Sequence, residues 1–226
     1  IPLSLLGTQQ PQIKEILRQQ TEQAISQGTD GRFVQAMVQA EAVPKWLTRS
    51  ETKLLYQLIE VGVAALADIA TTQVALGAVD RLITRGLVML SCFTPTDAAH
   101  VLGQFDEFDT YSAELGGQLL ARQKSGSGSQ MAADGLEAAR IVIDTLTNHS
   151  AVALMDAALA HDGVGEMQAT NNPLLANLYR DGTTGKDSLV RLSLELGTDL
   201  VALGASAATH YPHVARRMGV ELTVPD

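Results

Sequence analysis

The chain is poor in several things that usually announce a function. Among 226 residues there is a single cysteine, Cys92, which excludes an internal disulfide framework and a cysteine-based zinc cluster. Aromatic residues make up 4%, so the core must be built from Leu, Val, Ile and Ala, a set that suits closely packed helices better than a sheet sandwich. Cations are few and scattered: 16 Lys and Arg stand against 25 Asp and Glu, for a net charge of −9. Without a basic stripe, nucleic-acid binding and attraction to anionic lipid both lack their electrostatic requirement. Long apolar runs are missing too. Glu60, Asp68, Asp80, Arg81 and Arg85 interrupt the most hydrophobic region, so no transmembrane span is expected in the chain. No signal peptide is visible.

What is present is a real core in prospect, since 46% of the residues are apolar and disorder is not expected at that hydrophobicity. Cys92 follows the apolar run Gly86–Ser91 and reads as an inert buried thiol. Ser125-Gly-Ser-Gly-Ser129 stands out as a connector with no packing or conformational preference. In a chain opening on Ile1, it reads as an engineered splice. The expected organisation is an N-terminal helical segment (1–124), the linker (125–129) and a C-terminal helical segment (130–226), the two segments packing as one domain. The native residues replaced by the run are where a membrane-spanning stretch of the parent protein would lie.

Helical periodicity predicts helices over 11–27 and 32–42, the second stopped before Pro44. Thr48-Arg-Ser-Glu51 is a capping-box pattern opening the most apolar stretch. Only Gly62, Gly77 and Gly86 interrupt it up to Phe93, with a kink or break expected near Gly77 or Gly86. Thr94-Pro-Thr-Asp97 starts another helix, to Gly103, followed by one over 107–124. Further helices are expected over 130–147, 151–160 (capped by Ser150), 173–179, 187–209 (ending at His210-Tyr-Pro212) and 213–218, with 220–224 an unpaired extended tail. The fold class read from this pattern is all-α, a multi-helix bundle of about eight to ten helices with a buried central long helix near 51–93.

Candidate chemistry is thin. Gly182-Thr-Thr-Gly-Lys186-Asp-Ser188 lacks the spacing and the hydroxyl after Lys that a phosphate-binding loop needs. Asp97 and His100 lie one helical turn apart, as in di-metal bundles, but no second such pair exists. His210 and His213 could begin a zinc site, yet a third ligand is not evident. Phe105-Asp106-Glu107-Phe108-Asp109 offers two aromatic anchors beside acids, a candidate protein-partner contact. Glu60 and Asp68 fall in the most apolar stretch, where each either faces an Arg from another helix or marks a polar seam at the bundle surface, with a functional carboxylate in a cleft as the further candidate.

Together these features point to a non-catalytic helical interaction or assembly domain, with a protein partner or self-association, no nucleic acid and no cofactor. Its expected setting is a larger membrane-associated machine of secretion or transfer type. The rival is a small helical enzyme or ligand-binding bundle using buried carboxylates and histidines such as Glu60, Asp68, His210 and His213.

Overall fold

A computed structural model describes residues 1–163, 178, 189, 195–204 and 207–225. They fall into two compact units, Ile1–Arg140 and Ile141–Asp226, and the fold is mostly helical with a small strand content. The Gly/Ser run lies inside the first unit.

The strands are the main correction to an all-α reading. β1 (Phe33–Ala36) is the middle of a three-stranded antiparallel sheet, flanked by β2 (Val63–Ala65) and β3 (Val88–Ser91). Phe33 faces Ala65 and Ser91 across it. Two of these strands lie where a single long helix over 51–93 is expected. Instead α3 (Arg49–Val61) stops at Gly62, which has φ +82°. After β2 come a single helical turn, α4 (Leu66–Ile69), and then α5 (Gln73–Thr84); the chain turns again at Gly86, φ +71°, into β3. These two glycines hold a left-handed conformation that costs other residues strain. Gly77, by contrast, stays inside α5. β1 replaces the expected helix over 32–42, of which only a 3₁₀ turn at Ala40–Ala42 remains helical.

Side chains alternate across the strands and so bind two layers. Val34 and Ala64 point into a cluster with Leu54, Leu55 and Leu58 of α3 and Val79 and Leu82 of α5. Phe33 and Ala65 point into the other, with Leu3 and Leu6 of α1 (Leu3–Gln9), Ile13 and Leu17 of α2 (Ile13–Glu22), and Leu115 and Leu119 of α7 (Thr110–Arg122). A strand covered on both faces carries apolar residues without the polar alternation of a half-exposed one.

α6 (Pro95–Val101) follows β3 and packs against α7. Small residues allow close approach here. A Cβ on Gly7 would lie 2.0 Å from Ser112 Oγ, and one on Gly116 2.6 Å from Leu3 Cδ1. The Gly/Ser run forms a tight hairpin, with Ser125 N donating to Ser129 O at 2.8 Å and Lys124 bridged to Gln130.

α8 (Gly135–His161) begins in the first unit and ends in the second. It is one helix where two were expected, because neither Gly nor Pro occurs between Leu136 and His161 and Ser150 sits mid-helix. In the second unit, Ala151 and Met155 form a core cluster with Val214 and Met218 of α9 (Ala207–Met218). α9 runs through Pro212 rather than stopping there. Of the helix expected over 187–209, residues 195–199 are not helical, Leu200–Val201 form a strand, β4, that pairs in parallel with β5 (Leu222–Thr223), and 187–188 and 190–194 lie outside the described residues. The tail at 220–224 therefore has a partner. The helix expected over 173–179 and the turn at 181–185 lie outside the described residues, apart from Leu178.

Candidate functional site

The carboxylates that matter most are ones the sequence marks as helix starts. Thr48 caps α3, and Glu51 returns the bond: its Oε2 accepts from Thr48 N and Oγ1, both at 2.9 Å. Its Oε1 accepts from Arg81 Nε at 2.7 Å and Arg85 Nη1 at 3.1 Å. Glu51 is 1% exposed, a burial that only this many donors can support. Hydrogen bonds from Arg81, then from Thr48, hold its carboxyl at about 2, against an ordinary 4.5. Arg85 also stacks on Trp46, 4.9 Å from the ring centroid.

Asp97 is fully buried and joins two helix starts. Its Oδ2 accepts from Thr94 N at 2.8 Å, Thr94 Oγ1 at 2.9 Å and Leu3 N at 3.1 Å; its Oδ1 accepts from Ser4 N at 2.7 Å. Backbone N–H groups orphaned at the starts of α1 and α6 are thus satisfied by one charge, sited at the positive end of both helices. This occupancy leaves Asp97 unsuited to share a metal with His100.

His100 is 3% exposed, with its ring 5.0 Å from Phe105 and 5.9 Å from Phe108, centroid to centroid. Its Nδ1 lies 3.4 Å from Thr110 Oγ1, and its buried Nε2 has no hydrogen-bond partner. Burial pushes the imidazole below its usual range, against the opposing pull of Asp97, Asp106, Asp109 and Glu107. Enclosure among phenyl groups thus disfavours the charged ring.

The candidate partner contact at 105–109 therefore has its aromatic rings directed inward. Phe105 and Phe108 are half-buried and 5.6 Å apart, while Asp106 and Glu107 are exposed. Asp109 caps α7, accepting from Ser112 N at 2.8 Å and Lys14 Nζ at 2.6 Å. Burial pushes its carboxyl up, but these bonds outweigh that and hold it below the usual range.

Glu60 and Asp68 are both solvent-exposed: the helix carrying Glu60 turns that face outward, and Asp68 sits on the short α4. His210 and His213 are half-buried on α9. Burial, and then the neighbouring His213, push the His210 imidazole below its usual range. His213 lines a cavity of about 250 Å³ with Asp144, Thr147, Arg216 and Arg217. Glu60, Asp68 and the Phe105–Asp109 segment belong to the first unit, the two histidines to the second. Among the described residues no group of three or more His, Cys, Asp or Glu is placed to hold a metal ion, and no helix is long and apolar enough to cross a membrane. The Gly182–Ser188 segment lies outside the described residues. Cys92 is half-buried rather than fully enclosed, and burial still pushes its thiol up.

One arrangement has no counterpart in the expectations from sequence. α4, a three-residue turn (Ala70 to Thr72) and α5 form a helix–turn–helix step beside the sheet, with Thr72 Oγ1 accepting from Ala75 N at 3.2 Å to cap the second helix. In DNA-binding helix–turn–helix motifs the start of the second helix is the end that meets the base edges. Here that end is uncharged: Thr71, Thr72, Gln73 and Val74 are exposed, Val74 by 74%. The cations, Arg81 and Arg85, lie at the far end and are bound to Glu51. No protein-family model matches the chain, and neither a curated protein nor a solved structure matches it either.

Proposed function

We propose that the chain is a non-catalytic interaction and assembly domain that docks on protein through the start of α5. The observation that carries this reading is the exposed, uncharged Thr71–Val74 end of the helix–turn–helix step. A nucleic-acid partner would require Lys or Arg at that end to neutralise phosphates. An apolar side chain rimmed by hydroxyls and an amide suits a protein surface instead. The occupied lone pairs of Glu51 and Asp97 favour the same reading, since a carboxylate saturated by helix starts and arginines has little left for proton transfer.

The partner tested first is a second copy of the chain. Sedimentation velocity over a range of protein concentrations is expected to show reversible self-association, weakened about tenfold or more by Val74→Arg. A wild-type chain that stays monomeric at every concentration would remove self-association. A stoichiometric metal in the purified protein would overturn the non-catalytic reading. Membership in a larger membrane-associated machine rests on the native residues at 125–129: an apolar native stretch there supports it, a polar one removes it.

A further inference from the structure

The first unit holds a two-lobed cleft remote in chemistry from the start of α5. Its larger lobe, about 490 Å³, is lined by the chain after α2 (Ala24 to Gly28) and by Arg32, Arg122 and Lys124. The smaller, about 310 Å³, lies among Leu90, Cys92, Phe93, Gly116 and Leu120. Arg32 and Gln123 line both lobes, which are therefore adjacent. Each lobe has the dimensions of a small-molecule site.

The lobes differ in what they offer. The smaller has apolar walls from Leu90, Phe93 and Leu120 beside Asp30, Arg32 and Gln123, while Gly116 packs closely against Leu3 and Phe93. The larger gathers three cations. Arg122 is already committed, donating from Nη1 to Gln20 O and Thr21 O and from Nη2 to Gln23 O, which closes the carboxyl end of α2. Among the described residues, Arg32 and Lys124 have no side-chain hydrogen bond or ion pair. One carboxylate opposes them: Asp30, 2% exposed, lines the smaller lobe. Its Oδ2 accepts from Gln27 N at 2.7 Å and Ser26 Oγ at 3.4 Å, so it is engaged by its own loop. A half-buried guanidinium without a partner is an unusual feature, because desolvating a charge is costly unless something compensates it. Set between an apolar lobe and a cationic one, it matches a ligand with a negative head and an apolar body.

We infer that this cleft binds an amphipathic carboxylate, its head on Arg32 and Lys124 and its body among Leu90, Phe93 and Leu120. The site is separate from the α5 surface and uses none of its residues. Cys92, the only thiol in the chain, reports on the smaller lobe directly.

The test is calorimetric titration with decanoate below its critical micelle concentration, paired with the rate at which iodoacetamide alkylates Cys92 at mildly alkaline pH. Decanoate is expected to bind saturably and to slow alkylation severalfold. Acetate, which is head alone, and decanol, which is body alone, should each bind about tenfold more weakly or worse. Arg32→Met, which keeps the stem and drops the charge, should weaken decanoate about tenfold while circular dichroism stays unchanged. Lys124→Met, on the exposed hairpin, should cost less, about twofold to fivefold, and cannot disturb the core. Decanol binding as well as decanoate, Arg32→Met binding as well as wild type, or decanoate binding that leaves the Cys92 rate unchanged would each overturn the assignment. None of these outcomes bears on Val74, so this site and the assembly surface stand or fall apart.

Discussion

The two faces of the central sheet are held by different means. On one, Phe33 and Ala65 meet α1, α2 and α7, the glycines at 7 and 116 bring helices into close contact, and the charge at the centre is Asp97, satisfied by three backbone N–H groups and one hydroxyl. On the other, Val34 and Ala64 meet the leucines of α3 and α5, and the charge is Glu51, reached by two arginines whose side chains are 51% and 39% exposed. The first face depends on shape and on dipoles fixed in the backbone. The second depends on aliphatic burial, with a salt-bridged rim open to solvent. A backbone-satisfied charge has few alternatives when its geometry is disturbed, whereas arginines at a rim can exchange the carboxylate for water.

That contrast orders the expected effects. Asp97→Ala strips the caps from two helices and leaves buried N–H groups unsatisfied, and should cost about 3–5 kcal/mol in urea denaturation. A loss below about 1 kcal/mol would mean that α1 contributes little to the face it covers. Gly7→Ala is next. Its Cβ meets Ser112 Oγ at 2.0 Å, so overpacking of about 1–3 kcal/mol is expected. Ser112→Gly in the same chain should recover part of it, and additive losses in that double-mutant cycle would show that the two helices do not press at this point.

The smallest effect is that of Glu51. Its carboxyl is held at about 2 in the folded chain against 4.5 ordinarily. The stabilisation is therefore complete above pH 4.5 and is lost as pH falls from there towards 2. Solvent screening of the two exposed arginines keeps it modest. Melting temperatures across that window should fall more steeply for wild type than for Glu51→Gln; parallel curves would place the acid sensitivity elsewhere.

Local signals in the sequence were the ones that could be read. Thr48 with Glu51 and Thr94 with Asp97 mark real helix starts, because a cap is decided within four residues. The strands Val63–Ala65 and Val88–Ser91 were not legible: runs of three or four apolar residues between glycines fit a buried helix as well as a buried strand, and only partners far along the chain decide. The same distance hid the site chemistry. Glu51 owes its burial to arginines 30 and 34 residues away. Arg32 and Lys124 are scattered cations in sequence, and only the return of α7 beside the chain after α2 sets them around one cleft. Glu60 and Asp68 show the converse. An apolar neighbourhood in sequence does not place a side chain inward when the helix carrying it has an outer face.

Asp97 also imposes an order of events. It stands 94 residues from Leu3 and 93 from Ser4, whose N–H groups it accepts. A chain made from its amino end produces α1 long before the carboxylate that completes its first turn. An isolated helix of seven residues is too short to persist in water, so α1 must wait as unstructured chain until α6 exists, and then close a long loop to reach it. The segment synthesised early is thereby finished late, after all three strands of the sheet it covers have been made.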